Sequence, residues 1–294
     1  MLQPRTMNIL AMVLFGTLSI FVRGVDLGSL EIAFWRGLIA LAVLSLLRLV
    51  TPRSETPPLS GRQKLVMVLT GMAVGLNWAL LFTAYNYTSV AVATLAYYFA
   101  PVLVMALSPL LFRERTTPWQ FLCFLAATAG LVLVISGGAT LTAGNLVGVG
   151  FGLGAACLYA TVVLINKFCP GGTGLDRSIY QMAGSCLLLV VLVPLRGGFH
   201  LLECDVTSLV NLLIVGVVHT GLAYWLYFTS IRDLPGTQTA ILSYIDPVVA
   251  IFVSTLFFRE TVAVSQWVGA ALILGFTGLY QVLSIRRPAA AKGG

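Results

Sequence analysis

The chain has 294 residues, of which 59% are hydrophobic and only 9% charged, whereas an ordinary soluble domain is about 25% charged. Its mean hydropathy is +0.97, and a water-soluble globule is excluded. The net charge of +7 therefore has to be read by where the basic residues fall, not as the footprint of a nucleic-acid partner. The five cysteines, Cys123, Cys157, Cys169, Cys186 and Cys204, have no C-x-x-C spacing. Neither a disulfide framework nor a metal site is expected, and nothing calls for a cofactor.

Apolar runs bounded by polar residues, Gly or Pro predict an all-α polytopic membrane protein with ten spans: about 7–24, 30–50, 64–84, 90–112, 119–137, 146–166, 177–195, 209–230, 237–258 and 265–284. The first follows Arg5 and has no A-x-A-like cleavage site after it, so it is expected to be retained as a span. The longest connections run from Thr51 to Gln63 and from Arg196 to Ser208. They leave no room for a soluble domain, so function is expected inside the helix bundle.

Arg36 falls about two turns into span two, a depth from which its side chain could snorkel to the interface or pair with an acid. In span three Gly71 and Gly75 offer a close-packing face, and Trp78, Phe82 and Tyr85 form one helical stripe beside Asn77. Span four brings Thr94, Tyr97 and Tyr98 and then Pro101, whose missing N–H and bulky ring predict a bend at mid-membrane. Thr117-Pro118-Trp119-Gln120 reads as an N-cap, a first-turn proline and a capping-box glutamine for span five. Span six has Gly144, Gly148 and Gly152 at the spacing of a packing face. Span eight carries His219, the one histidine expected within the membrane, with Tyr224 and Tyr227. Span nine carries Thr239, Ser243, Tyr244, Asp246 and Pro247.

Asp246 is at mid-depth, where an ionised carboxylate costs about 2.5–3.5 kcal/mol, so it must face the bundle interior. It is a candidate for binding or proton coupling, and equally for a carboxylate that holds the kink. His219 titrates near neutrality in its ordinary state and is a second coupling candidate, against a packing role.

The halves resemble each other. At an offset of 146, Gly75 falls on Gly221, Phe82 on Phe228, Tyr98 on Tyr244, Pro101 on Pro247, Arg113-Glu114 on Arg259-Glu260 and Gln120 on Gln266. Asp246 falls on Ala100. Residues 1–140 and 141–294 are thus expected to be two five-helix repeats. With an odd number of spans each, the second must enter the membrane in the opposite sense, an arrangement shared with alternating-access carriers.

Counted on alternating spans, thirteen of the 17 Lys and Arg lie on the side of the N-terminus, among them Arg5, Arg48, Arg53, Arg62, Lys64, Arg115, Lys167, Arg286, Arg287 and Lys292. Three lie on the other side: Arg23, Arg196 and Arg259. The bias predicts a plasma-membrane (inner-membrane) protein with both termini, Arg62 and Lys167 cytoplasmic and with Arg196 and Glu203 external. Anionic lipid is the expected partner of the basic face.

The segments FWRGLIALAVL at 34–44, YYFAPVLVMALSPLLFRER at 97–115 and LSYIDPVVAIFVSTLFFRETVAVSQWVGAALIL at 242–274 resemble the two repeats of the EamA family of the drug/metabolite transporter superfamily. The resemblance covers nearly the whole chain. It implies a ten-helix exporter or permease of small metabolites with a central cavity, and within the family the chain is similar to aromatic amino-acid exporters of the YddG type. Glu114 and Glu260 resemble the family's glutamate at the tight turn of each repeat.

A transporter is therefore expected, not an enzyme: the chain has no H-E-x-x-H, no G-x-S-x-G and no paired intramembrane aspartates. A T-V-G-Y-G filter and a Walker A lysine motif are missing too, which disfavours a channel and direct use of ATP. The substrate-binding candidates are Asn77, Trp78, Phe82, Thr94, Tyr98, Tyr224, Thr239, Ser243, Tyr244 and Asp246, with Pro101 and Pro247 as hinges. With Asp246 as the one deep charge, the expected cargo is a neutral or zwitterionic metabolite, best an aromatic or apolar amino acid. Other metabolites, cationic drugs and a membrane-embedded enzyme are the alternatives.

Overall fold

The computed structural model describes residues 2–51, 56–88, 90–114, 117–136, 146–259 and 263–285. Arg53, Arg115, Gly144, Glu260, Arg286, Arg287 and Lys292 lie outside the described residues. Among the described residues there is no strand. The helices are α1 (Pro4–Thr17, continued by Ser19–Val22), α2 (Ser29–Val50), α3 (Gly61–Ala84), α4 (Val90–Tyr97 and Phe99–Phe112), α5 (Pro118–Ser136) and α6 (Leu146–Phe168). They continue with α7 (Gly174–Leu192), α8 (Val206–Ile214, Val215–Leu222 and Ala223–Asp233), α9 (Gly236–Leu242 and Ile245–Phe257) and α10 (Val264–Ile285). Eight are long and apolar enough to cross a membrane, while α5 and α10 carry the shorter apolar stretches Pro118–Val134 and Val264–Tyr280.

Side-chain caps set several starts. Ser60 with Gln63 and Thr173 with Asp176 form capping boxes for α3 and α7, each satisfying two first-turn N–H groups. The box expected for α5 forms as well: Gln120 N donates to Thr117 Oγ1 (3.2 Å) and Thr117 N to Gln120 Oε1 (3.0 Å). Arg177, one of the thirteen basic residues expected on the side of the N-terminus, is fully buried. Its guanidinium donates to the carbonyls of Asn166, Cys169 and Gly171, covering the C-terminus of α6, where a cation is favoured.

Four helices are irregular at mid-length. α4 stops at Tyr98 (φ −70°, ψ 4°) and restarts at Phe99, so Pro101 sits in a first turn, where its missing N–H removes no helical bond. α9 stops and restarts in the same way around Ser243 and Tyr244, with Pro247 in the equivalent first turn. The bends expected from the prolines are thus complete interruptions. α1 breaks at Leu18, and α8 is wound as a π-helix over Val215–Leu222.

Contacts between helix ends sort the charges. Arg48 Nε lies 2.8 Å from Asp176 Oδ1, Gln63 Nε2 donates to the Pro170 carbonyl (2.7 Å) and Lys167 Nζ lies 2.9 Å from Glu114 Oε1. These gather Arg48, Lys167 and the start of α3 at one end of the bundle, here the basic end. The Arg23 guanidinium lies 3.9 Å from the centroid of the Phe258 ring at the other end. Arg113 (φ 54°) and Arg259 (φ 53°) are the two non-glycine residues in the left-handed region among the described residues. They close α4 at the basic end and α9 at the opposite end.

Laterally, α3 packs on α6 and α7, α1 on α8 and α9, α2 on α7 and α8, α4 on α6 and α9, and α5 on α10. Without a hydrophobic force between helices inside lipid, close backbone approach through small residues carries much of this packing. Gly71 and Gly75 meet Gln181 and Ser185 of α7, and Gly148 and Gly152 of α6 meet Thr88 and Ala93. The glycine faces expected from the sequence thus pack within the chain. Large apolar side chains such as Leu46, Leu49, Leu110 and Leu256 remain exposed on the outer faces, as a hydrocarbon surround requires.

Candidate functional site

The irregular stretches of α1, α4, α8 and α9 meet around a cavity of about 230 Å³ that also takes side chains from α2, α3 and α6. This volume is below the roughly 300–1,000 Å³ of drug-sized sites, so it suits a small metabolite. Trp78, Phe82, Tyr85, Tyr97, Tyr98, Tyr159 and Tyr224 supply most of the ring surface. Trp78 meets Tyr224 edge-on at 6.0 Å between centroids. These two residues are 146 positions apart, the repeat offset itself.

Asp246 lines the cavity from the first turn of the second half of α9. The positive end of that half-helix favours a carboxylate there, and Tyr98 Oη donates to Asp246 Oδ2 at 2.9 Å. One bond thus joins the restart of α9 to the break in α4. Gly16 of α1 lies against this segment: a Cβ there would fall 2.7 Å from the Asp246 carbonyl oxygen.

Arg36 departs from expectation. It does not snorkel and pairs with no acid among the described residues, because its side chain is turned into the cavity, 7% exposed. Its guanidinium carbon lies 4.0 Å from the Trp78 ring centroid, a cation–π contact, and its Nε is buried without a hydrogen-bond partner. Asp246 is therefore not the one deep charge. His219, within the π-helical stretch, places Nε2 3.2 Å from Thr17 Oγ1 and its ring 5.2 Å from that of Phe21.

Of the sequence-derived candidates, Trp78, Phe82, Tyr98, Tyr224, Ser243 and Asp246 line this cavity together with Pro101 and His219. The others lie elsewhere. Asn77 donates to the Ala155 carbonyl at 2.7 Å and ties α3 to α6. Thr94 accepts the Tyr98 N–H through its carbonyl at 2.9 Å, one turn before the break. Thr239 is buried, with Oγ1 3.2 Å from the Pro235 carbonyl. Tyr244 is fully buried, stacked on Phe124 (5.7 Å) with its hydroxyl 2.9 Å from Thr128 Oγ1, so it packs α9 on α5. Sequence reasoning missed Met12, Phe15 and Tyr159 in the wall. Gly16, packed against the Asp246 segment, is the signal that could have pointed to α1.

A vestibule of about 530 Å³ at the basic end takes in Arg5, Glu114, Asp233 and Tyr280. One of about 340 Å³ at the opposite end takes in Glu31, Arg196, His200 and Phe82. Phe82 borders both this second vestibule and the central cavity, whereas no residue lines both the cavity and the vestibule at the basic end. There Glu114 fastens α4 to α9: its two oxygens accept from Gly236 N (2.8 Å) and Thr237 N (3.2 Å), and Lys167 Nζ bonds both Glu114 and the Leu234 carbonyl. Glu114 therefore does more than close its own turn, because it caps a helix of the other half.

The EamA-like transporter family matches residues 6–136 and again 146–282. The uncharacterized transporter YxxF of Bacillus subtilis (strain 168) is 29% identical over 288 residues, 97% of this chain and 90% of the relative. An uncharacterized transporter of Archaeoglobus fulgidus is 32% identical over 270 residues (90% and 92%). The human solute carrier family 35 member G1 is 24% identical over 283 residues (90% and 74%). A solved crystal structure shares the fold at a TM-score of 0.82 and 17% identity, covering 95% of this chain and 98% of its own.

Proposed function

Because the chain belongs to the EamA-like transporter family and is a transporter rather than an enzyme, we propose that it is a secondary carrier exporting small organic metabolites, namely amino acids with aromatic or apolar side chains. The observation that carries this reading is the small central cavity at the breaks of α4 and α9, where ring surfaces surround one carboxylate and one guanidinium. Rings contribute stacking of about 0.5–1.5 kcal/mol beyond area burial, and two opposite charges in one cavity match a zwitterion. Sugar phosphates fit poorly, because a dianion would face Asp246.

Ten crossings as two inverted repeats are the topology proposed. It is supported by the family's double match and by the paired left-handed turns at opposite ends. Exchanging the halves also turns the α3–α7 contact into α8–α2, and α3–α6 into α8–α1. Alternating access would then rock one half against the other about the breaks near Pro101 and Pro247, with Asp246 and His219 as coupling candidates. The basic end would face the cytoplasm of an inner-membrane protein, under the positive-inside rule.

Counterflow into proteoliposomes tests the function. Saturable, trans-stimulated uptake of labelled phenylalanine or tryptophan is expected. A flux that rises linearly with concentration, or no competition by any amino acid, refutes the amino-acid carrier.

A further inference from the structure

Arg36 is the charged group of the cavity that the protein itself leaves unanswered. Its side chain is more than nine-tenths buried, and its Nε has no hydrogen-bond partner. No ion pair joins it to an acid among the described residues; the face of Trp78 lies against it, with the guanidinium carbon 4.0 Å from the ring centroid. Asp246, in the same cavity, is by contrast occupied by the Tyr98 hydroxyl and by the start of its own half-helix.

The two charges also lack repeat mates. At the offset of 146, Arg36 corresponds to Met182, apolar and fully buried, and Asp246 to Ala100. The second half of α4, whose first turn holds Ala100 and Pro101, therefore presents its positive end to the cavity with no acid in it. A ligand entering meets buried N–H donors on the Arg36 side and an acceptor on the Asp246 side.

We infer that Arg36 is the carboxylate receptor of this cavity, and that the cargo is an aromatic monocarboxylate whose ring lies along Trp78 and Tyr224 while its acid end pairs with the guanidinium. The planar fork of arginine matches a carboxylate with two parallel N–H bonds. A bound carboxylate would also neutralise a charge that is costly to keep dry. Trp78 holds the fork from one face, so the receptor is oriented before the ligand arrives. This inference deepens the carrier reading and rests on it.

The test compares acids with their amides on the purified carrier, reading ligand affinity from the rise in melting temperature. Tryptophan and indole-3-acetate are set against tryptophanamide and indole-3-acetamide. A charge-assisted pair lost on amidation predicts about ten- to a hundredfold tighter binding of each acid. Arg36→Gln should abolish that preference by weakening the acids far more than the amides, and Arg36→Lys should keep part of it; should Arg36→Gln not fold, the wild-type comparison and Arg36→Lys decide. Equal binding of acid and amide to the wild-type protein overturns the inference, as does an undiminished preference in folded Arg36→Gln. If indole-3-acetate binds through Arg36 and tryptophan does not, the receptor stands and the amino-acid reading falls. If no acid binds, both fall.

Discussion

Replacing Glu114 with alanine removes a carboxylate that serves three donors at once, two backbone N–H groups opening α9 and the Lys167 ammonium. Both side chains of the pair are largely buried, 15% exposed for Glu114 and 9% for Lys167, so water from the vestibule replaces only part of what is lost. Removing one partner of a buried pair costs about 3–5 kcal/mol, chiefly because the other charge is left dry. Lys167 keeps its bond to the Leu234 carbonyl, which favours the lower part of that range. At about 2–4 °C per kcal/mol, Glu114→Ala should lower the melting temperature in detergent by roughly 6–15 °C. Glu114→Gln, which retains an acceptor for one N–H, should lose about half as much. The double variant Glu114→Ala/Lys167→Ala separates the pair energy from the cap: a strongly non-additive cycle is expected. A melting temperature within about 2 °C of wild type, or strict additivity, would refute the clamp.

Asp246→Asn should reduce transport per folded molecule by about tenfold or more while yield falls little, since the amide still accepts from Tyr98; wild-type flux would return Asp246 to a packing role. Trp78→Ala should weaken tryptophan or phenylalanine counterflow affinity by about three- to tenfold through lost stacking, whereas Tyr244→Ala, outside the cavity, should act on stability instead. Gly16→Ala would set a Cβ 2.6 Å from that of Val249 and should cost about 1–3 kcal/mol of thermal stability as overpacking between α1 and α9. In a cysteine-free background, Glu203→Cys should react with an impermeant thiol reagent in intact cells and Arg62→Cys should not. The reverse pattern would invert the topology.

The helices were readable because a lipid surround demands long apolar runs, and the caps because Thr117 and Gln120 need only local spacing. Bends were expected at Pro101 and Pro247, whereas the helices break about a turn earlier, at Tyr98 and Ser243, because proline is best accommodated in the first turn of the helix that restarts. The cavity wall was only partly legible. Tyr244 and Thr239 share a helix with Asp246, but the interruption turns them toward α5 and back onto α9, and no periodicity count survives a break. Arg36 was misjudged for a related reason. Its depth allowed snorkelling, and only the position of Trp78 on a neighbouring helix decides which way the side chain goes. Asn77 illustrates the same difficulty from the other side, as a polar residue in an apolar helix whose partner proved to be the backbone of α6.

The π-helical stretch of α8 has a consequence for descent. A π turn is an α-helix that has accepted one residue too many, and here the surplus lies between Val215 and Leu222, with Thr220 Oγ1 2.9 Å from the Val215 carbonyl. Loss of one residue inside this stretch would restore an ordinary helix while leaving Tyr224 on the cavity face. Loss of one residue elsewhere in α8 would turn everything beyond it by about 100° and send Tyr224 into lipid or core. Single-residue length differences among homologous chains should therefore collect at this one turn, making it the place where this helix can change length without losing its inward face.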